Sequence, residues 1–72
     1  MPNPVAWTAV ERGWKVLDAA GEEVGRVGEV QGDEKAGIFH GLLVQKGLLG
    51  GSEYVPAEQV AAIREGEITL IR

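Results

Sequence analysis

The chain has 72 residues, a net charge of −4 at neutral pH and no cysteine. This length allows a single domain with a small core, and without cysteine neither a disulfide nor a thiolate metal site can stabilise it. The seven lysines and arginines stand singly along the chain, so we expect no nucleic-acid binding, which requires a clustered basic face.

The first twelve residues predict an N-terminal arm and lead-in segment, which precedes a domain formed by residues 13–72. The start, Met1–Pro4, lacks the basic and apolar regions of a signal peptide. No apolar run approaches the roughly 20 residues that span a bilayer. We therefore expect a cytoplasmic protein without membrane insertion, with Trp7 and Val10 of the lead-in segment packed on the domain.

Residues 14–30 predict a β-hairpin. Its first arm contains Val16 and Leu17, and the following DAAGEE has the composition of a turn. We expect Asp18 to accept hydrogen bonds from backbone N–H groups in this turn, and Gly21 to adopt a positive φ.

Glycines recur in the second arm of the hairpin, with four of them inside the twelve residues GEEVGRVGEVQG. Valines stand between them at every third position, a spacing that suits neither a flat half-buried strand nor a helix. The spacing G-x-x-x-G-x-x-G also matches neither the dinucleotide fingerprint nor the Walker motif, which argues against a phosphate site. We therefore predict a strand that bends at Gly25 and Gly28, as strands do when a small sheet curls into a barrel.

The middle of the chain predicts one strong strand between two loops. Residues 31–37 are polar, residues 38–46 read IFHGLLVQK, and residues 47–52 are rich in glycine. The strand has apolar residues on both faces, which is typical of a central strand or of one whose outer face meets a partner.

The C-terminal third predicts one further short strand and a final hairpin. The strand ends at Pro56, a helical turn follows near residues 56–60, and the hairpin turns with Gly66 at positive φ. The predicted fold is all-β: a small closed or partly open barrel of about six short, strongly bent antiparallel strands, with this one helical turn.

These motifs, in this order, resemble the PRC-barrel family, which includes the cytoplasmic domain of the photosynthetic reaction-centre H subunit and the C-terminal domain of a ribosome-maturation factor. The resemblance covers residues 13–71. It is carried by Gly13, Val16, Asp18, Gly21, Gly25 and Val27, then by Val55, Pro56, Val60 and Ile63, and last by Gly66, Ile68 and Leu70.

The resemblance implies a six-stranded barrel and a role in adaptor or assembly contacts, but no activity. The better-known members join the barrel to another domain or to a membrane helix. This chain is the barrel and little else, so we expect its partner to be another molecule.

The sequence offers few groups for catalysis. His40 is the one histidine, Ser52 lacks the G-x-S-x-G elbow, and no H-x-x-x-H pair is present. We therefore predict a protein that is not an enzyme, with no catalytic, cofactor or metal site. The alternative is a module that binds a small ligand or metal ion through the 31–40 loop and His40.

Apolar side chains exceed what one small barrel can hide, and a domain without disulfides gains stability by burying more surface. We therefore predict a protein–protein interaction domain that forms a homodimer. Either leucine of the loop at 48 and 49 can instead plug the end of the barrel. The predicted interface residues are Phe39, Leu43, Leu48, Leu49 and Trp7.

Overall fold

The computed structural model describes residues 6–47 and 50–72, so Leu48 and Leu49 lie outside the described residues. A 3₁₀ helix at Trp7–Ala9 precedes the strands, and a second one at Ala57–Gln59 separates the fourth strand from the fifth. The six strands are β1 (Lys15–Leu17), β2 (Glu23–Asp33), β3 (Ile38–Gln45), β4 (Ser52–Pro56), β5 (Val60–Arg64) and β6 (Glu67–Leu70).

The six strands form one sheet in the order β4-β3-β2-β1-β6-β5. The prediction of about six strands with a helical turn near residues 56–60 is confirmed, but β2 and β3 are longer than the short strands that the sequence predicts. The prediction that the strands are all antiparallel is wrong at one pair, because β1 and β6 run parallel. Hairpin signals specify only strands that are neighbours in sequence, whereas this pairing joins the two ends of the domain.

The outer strands of the sheet, β4 and β5, do not pair with each other in the described residues. The structure is therefore a mixed six-stranded sheet that is open between these two strands. The sheet nevertheless curls, since the side chain of Arg72, which follows β6, donates a hydrogen bond of 2.8 Å to Glu53 on β4.

The sheet is irregular at four positions, two of them on β2, one on β3 and one at Ala61 of β5. The β1–β2 register passes over Val24, and the β2–β3 register passes over Gly28. A third shift lies opposite, where His40 of β3 has no partner on β2. Each extra residue is a bulge that bends its strand. It also shifts the alternation of side chains by one position, so residues i and i+3 on either side of a bulge face the same side of the sheet.

The core lies on one face of the sheet. Val27 pairs with Val44, and Leu42 pairs with Val55, so these cross-strand partners share that face. All four are buried. The lead-in segment adds one side chain, and the complete set is Val10, Val16, Val27, Leu42, Val44, Val55, Ile68 and Leu70.

Candidate interaction surface

The glycines of β2 make room for neighbouring strands. A Cβ atom on Gly25 would lie 2.5 Å from the carbonyl oxygen of Gln45 and 2.7 Å from Cγ1 of Val44. At Gly28 the nearest atom would be Cγ of the Gln45 side chain, at 3.2 Å. Gly25 thus allows β3 to approach the bend in β2, whereas Gly28 leaves more space.

Three of the predicted turn residues, Asp18, Gly21 and Gly66, lie in the turns of hairpins, and Pro56 ends a strand. One carboxylate oxygen of Asp18, Oδ1, accepts hydrogen bonds from the backbone N–H groups of Ala20 and Glu22, both at 2.9 Å. Gly21 has a φ of 88° and Gly66 a φ of 87°, and Pro56 is the last residue of β4. These residues shape the backbone and form no common site.

In the loop predicted to bind a ligand, the carboxylate of Asp33 already accepts hydrogen bonds from the backbone. Oδ1 of Asp33 accepts hydrogen bonds from the N–H groups of Lys35 and Ala36, at 3.0 and 3.2 Å. His40 is exposed, and its carbonyl oxygen accepts a 2.8 Å hydrogen bond from the Tyr54 hydroxyl. Within 6–47 and 50–72, no three histidine or acidic residues are grouped to hold a metal ion. Ligand binding at this loop stays a prediction.

Two of the predicted interface residues lie together. The rings of Trp7 and Phe39 stack with their centroids 5.6 Å apart and their planes 17° from parallel. Gly32 makes this possible, because a Cβ atom there would lie 2.8 Å from Cη2 of Trp7. Both aromatic residues are half-buried, so the stack anchors the lead-in segment while part of each ring faces solvent.

Leu43 lies on the opposite face of the sheet. Its cross-strand partners are Glu29 and Tyr54, both exposed, whereas the flanking residues Leu42 and Val44 point into the core. Simple alternation along β3 would put Leu43 and Phe39 on one face. The bulge at His40 reverses that alternation, so Phe39, opposite Gly32, lies on the core side.

A groove beside β5 extends the surface around Phe39. It has a volume of about 440 Å³. We call it the β5 groove, and its lining is Phe39, Ala57, Val60, Ala61, Ala62, Ile63 and Arg64. Sequence reasoning missed it, because the groove depends on β5 lying at an edge of the sheet. Val60 and Ile63 are half-buried and pack against the margin of the core.

The β4 side of the opening is charged rather than apolar. Glu53 lies 2.7 Å from Nζ of Lys46 and 2.8 Å from Arg72. Hydrogen bonds from Lys46 and Arg72 lower the pKa of the Glu53 carboxyl from 4.5 to about 2. This carboxylate is therefore ionised across the physiological pH range.

None of the helical segments in the described part of the chain is long and apolar enough to cross a bilayer. A comparison with curated proteins finds no significant match. The family model for the PRC-barrel domain matches residues 12–71. Because this match spans nearly the whole sequence, the chain belongs to the PRC-barrel family.

Proposed function

We propose that this protein is a non-enzymatic protein–protein interaction or assembly domain that self-associates as a homodimer in the cytoplasm. The observation that carries the proposal is the β5 groove, an apolar surface beside a strand whose outer edge has no partner in the described residues. A groove of this kind fits a protein surface better than a charged or metal ligand, since most of its lining is aliphatic or aromatic.

We also infer that the curled sheet is a barrel whose seam is the β5 groove. The hydrogen bond between Arg72 and Glu53 supports this, because it joins β4 to the segment after β6. A seam lined by apolar side chains leaves surface that an additional chain can cover. A second copy of the domain would cover it and would add core to a small protein.

Phe39 and Leu43 provide a matched test, because both are half-buried residues of β3 and they lie on opposite faces. The molar mass would be measured by light scattering from low to high micromolar concentration for the native chain, Phe39→Ala and Leu43→Ala. We expect a concentration-dependent dimer that Phe39→Ala weakens several-fold and Leu43→Ala leaves intact.

A native chain that stays monomeric at high micromolar concentration would contradict self-association. A dimer weakened only by Leu43→Ala would move the interface to the outer face. Thermal unfolding with a panel of metal ions and metabolites tests the ligand-binding alternative, since a specific ligand raises the midpoint by mass action.

A further inference from the structure

Strand β5 is the outermost strand on its side of the sheet, and among residues 6–47 and 50–72 it pairs only with β6. In an antiparallel pair, alternate backbone N–H and C=O groups point away from the partner strand. Such an unpaired edge is a template for a further strand. We infer that two copies of this chain pair antiparallel through β5, about a twofold axis at Ala61. The inference rests on the proposed self-association and gives it a geometry.

The other free edge of the sheet is less suited to pairing. Strand β4 ends in Pro56, which has no N–H to donate. Its Glu53 side chain is held by Lys46 and Arg72, which places three charged side chains beside that edge. Strand β5 reads VAAIR and carries neither proline nor lysine, and its one charged residue, Arg64, stands at its C-terminal end.

Ala61 is the natural centre of a β5–β5 pair. The β5–β6 register passes from Val60 to Ala62, so Ala61 is an extra residue without a partner on β6. It is also the exposed residue of the strand. Its methyl group allows two backbones to approach at a twofold axis, where a larger side chain would meet its own copy.

The charges around β5 favour the same register. Antiparallel pairing centred on Ala61 brings the 3₁₀ helix that precedes β5 in each copy, which contains Glu58, close to the last residue of β5 in the other copy, which is Arg64. Within residues 6–47 and 50–72, neither side chain takes part in an ion pair. A strand with an acidic residue shortly before its start and a basic residue at its end is complementary in charge to a second copy that runs antiparallel to it.

The geometry also sets the expected strength of the dimer. A stable interface buries about 800 Å² on each partner. The accessible surface of one copy is 4714 Å². A strand of five residues and the groove beside it would bury less of that surface than a standard interface does. We therefore expect a dissociation constant in the micromolar range.

The absence of native cysteine makes disulfide trapping a direct test. Residues facing each other at a twofold axis have Cα atoms about 5 Å apart, within the range that a disulfide bridges. We expect Ala61→Cys to form a covalent dimer in oxidising buffer. The matched control is Ala20→Cys, an exposed alanine in the turn after β1, and Ser52→Cys probes the β4 edge.

The trapping experiment distinguishes pairing through β5 from self-association through another surface. A dimer by light scattering that is trapped at Ser52→Cys, or equally well at Ala20→Cys, would overturn the β5 pairing and leave the homodimer standing. A native chain that is monomeric at every concentration would overturn both. Rapid trapping at Ala61→Cys alone, with an unchanged circular dichroism spectrum, is the expected outcome.

A charge-swap experiment tests the register. In a homodimer of either variant, Glu58→Arg or Arg64→Glu, two residues of like charge lie close together at each of two equivalent places. We expect each substitution to weaken the dimer roughly tenfold. An equimolar mixture of the two variants restores both opposite pairs, so it should form a heterodimer of nearly native affinity. A mixture that associates no better than either variant alone would overturn the Ala61 register.

Discussion

Strands β2 and β3 have eleven and eight residues and pair along most of their length, whereas β5 and β6 have only five and four. The long pair contains two of the four bulges described above and a glycine that β3 backbone atoms approach closely. The short pair turns tightly at Gly66 and leaves one edge of β5 open. The long pair is flanked by strands on both sides, and the short pair is flanked on one side only.

This difference predicts that substitutions separate into two groups. Changes inside the β2–β3 pair should lower the free energy of unfolding, because they disturb a core that is already small. Changes on the solvent side of β5 should alter association and leave folding intact. The predictions below test this separation, from the largest expected effect to the smallest.

Leu42→Ala should cost the most stability. The Leu42 side chain is wholly buried between Val30 and Val55, and its truncation leaves a cavity worth about 3 kcal/mol. Urea unfolding followed by circular dichroism measures the loss. Leu43→Ala, one residue further on the opposite face, should cost about 1 kcal/mol. Equal losses at the two positions would mean that the outer face of β3 is buried too.

Gly25→Ala should rank next. The new methyl group would strike the backbone of Gln45, which cannot move without disturbing the β2–β3 ladder. We expect a loss of about 2 kcal/mol in the same urea measurement, typical of overpacking. The matched variant is Gly28→Ala, whose methyl group would lie 3.2 Å from Cγ of the flexible Gln45 side chain and at an ordinary contact distance of 3.4 Å from the Leu43 carbonyl oxygen. It should cost less than 1 kcal/mol, and an equal loss would show that both glycines are required by the bend itself.

The bend at these glycines shows how far the sequence predicts the fold. Valines at every third position leave no regular strand or helix that hides them all, so a bulged strand follows from local geometry. The sequence does not distinguish Gly25 from Gly28, since their difference depends on which part of Gln45 lies nearby. That information belongs to the β2–β3 register rather than to either segment alone.

The candidate surface was predicted less fully, for a related reason. The pattern along β3 indicates a strand but not the bulge at His40, and this single extra residue separates Phe39 from Leu43. The parallel β1–β6 pair depends on contacts across nearly the whole chain. Because this pairing puts β5 at an edge of the sheet, the β5 groove could be recognised only after the strand order was known.

Asp18→Ala should have an intermediate effect. Its carboxylate accepts two backbone hydrogen bonds in the turn between β1 and β2, and their loss should cost about 1 kcal/mol. In a domain of this size the thermal midpoint should fall by roughly 5 °C. Asp18→Asn keeps an acceptor oxygen and should recover most of the loss. Equal midpoints for the two variants would show that the charge, and not the hydrogen bonds, stabilises the turn.

The smallest effect should come from Glu53 of β4. Its ion pairs with Lys46, which follows β3, and with Arg72, which follows β6, connect the two ends of the sheet. Hydrogen bonds from Lys46 and Arg72 hold the folded-state pKa of Glu53 at about 2, below its ordinary value of 4.5. The folded state therefore binds the proton less readily than the unfolded chain. The stabilisation is complete above about pH 5 and disappears as the pH falls towards 2.

Glu53→Gln should consequently lower the thermal midpoint slightly at pH 7, and this difference should shrink strongly as the pH falls through about 2, where the native carboxyl takes up its proton. Because the three side chains are partly exposed, molar salt should shrink the difference at pH 7. Glu34→Gln is the control, an exposed carboxylate that forms no ion pair in the described part of the chain. If the Glu53→Gln difference persisted undiminished at pH 2, the ion pairs would not be its source, and the contact between the two ends of the sheet would depend on packing instead.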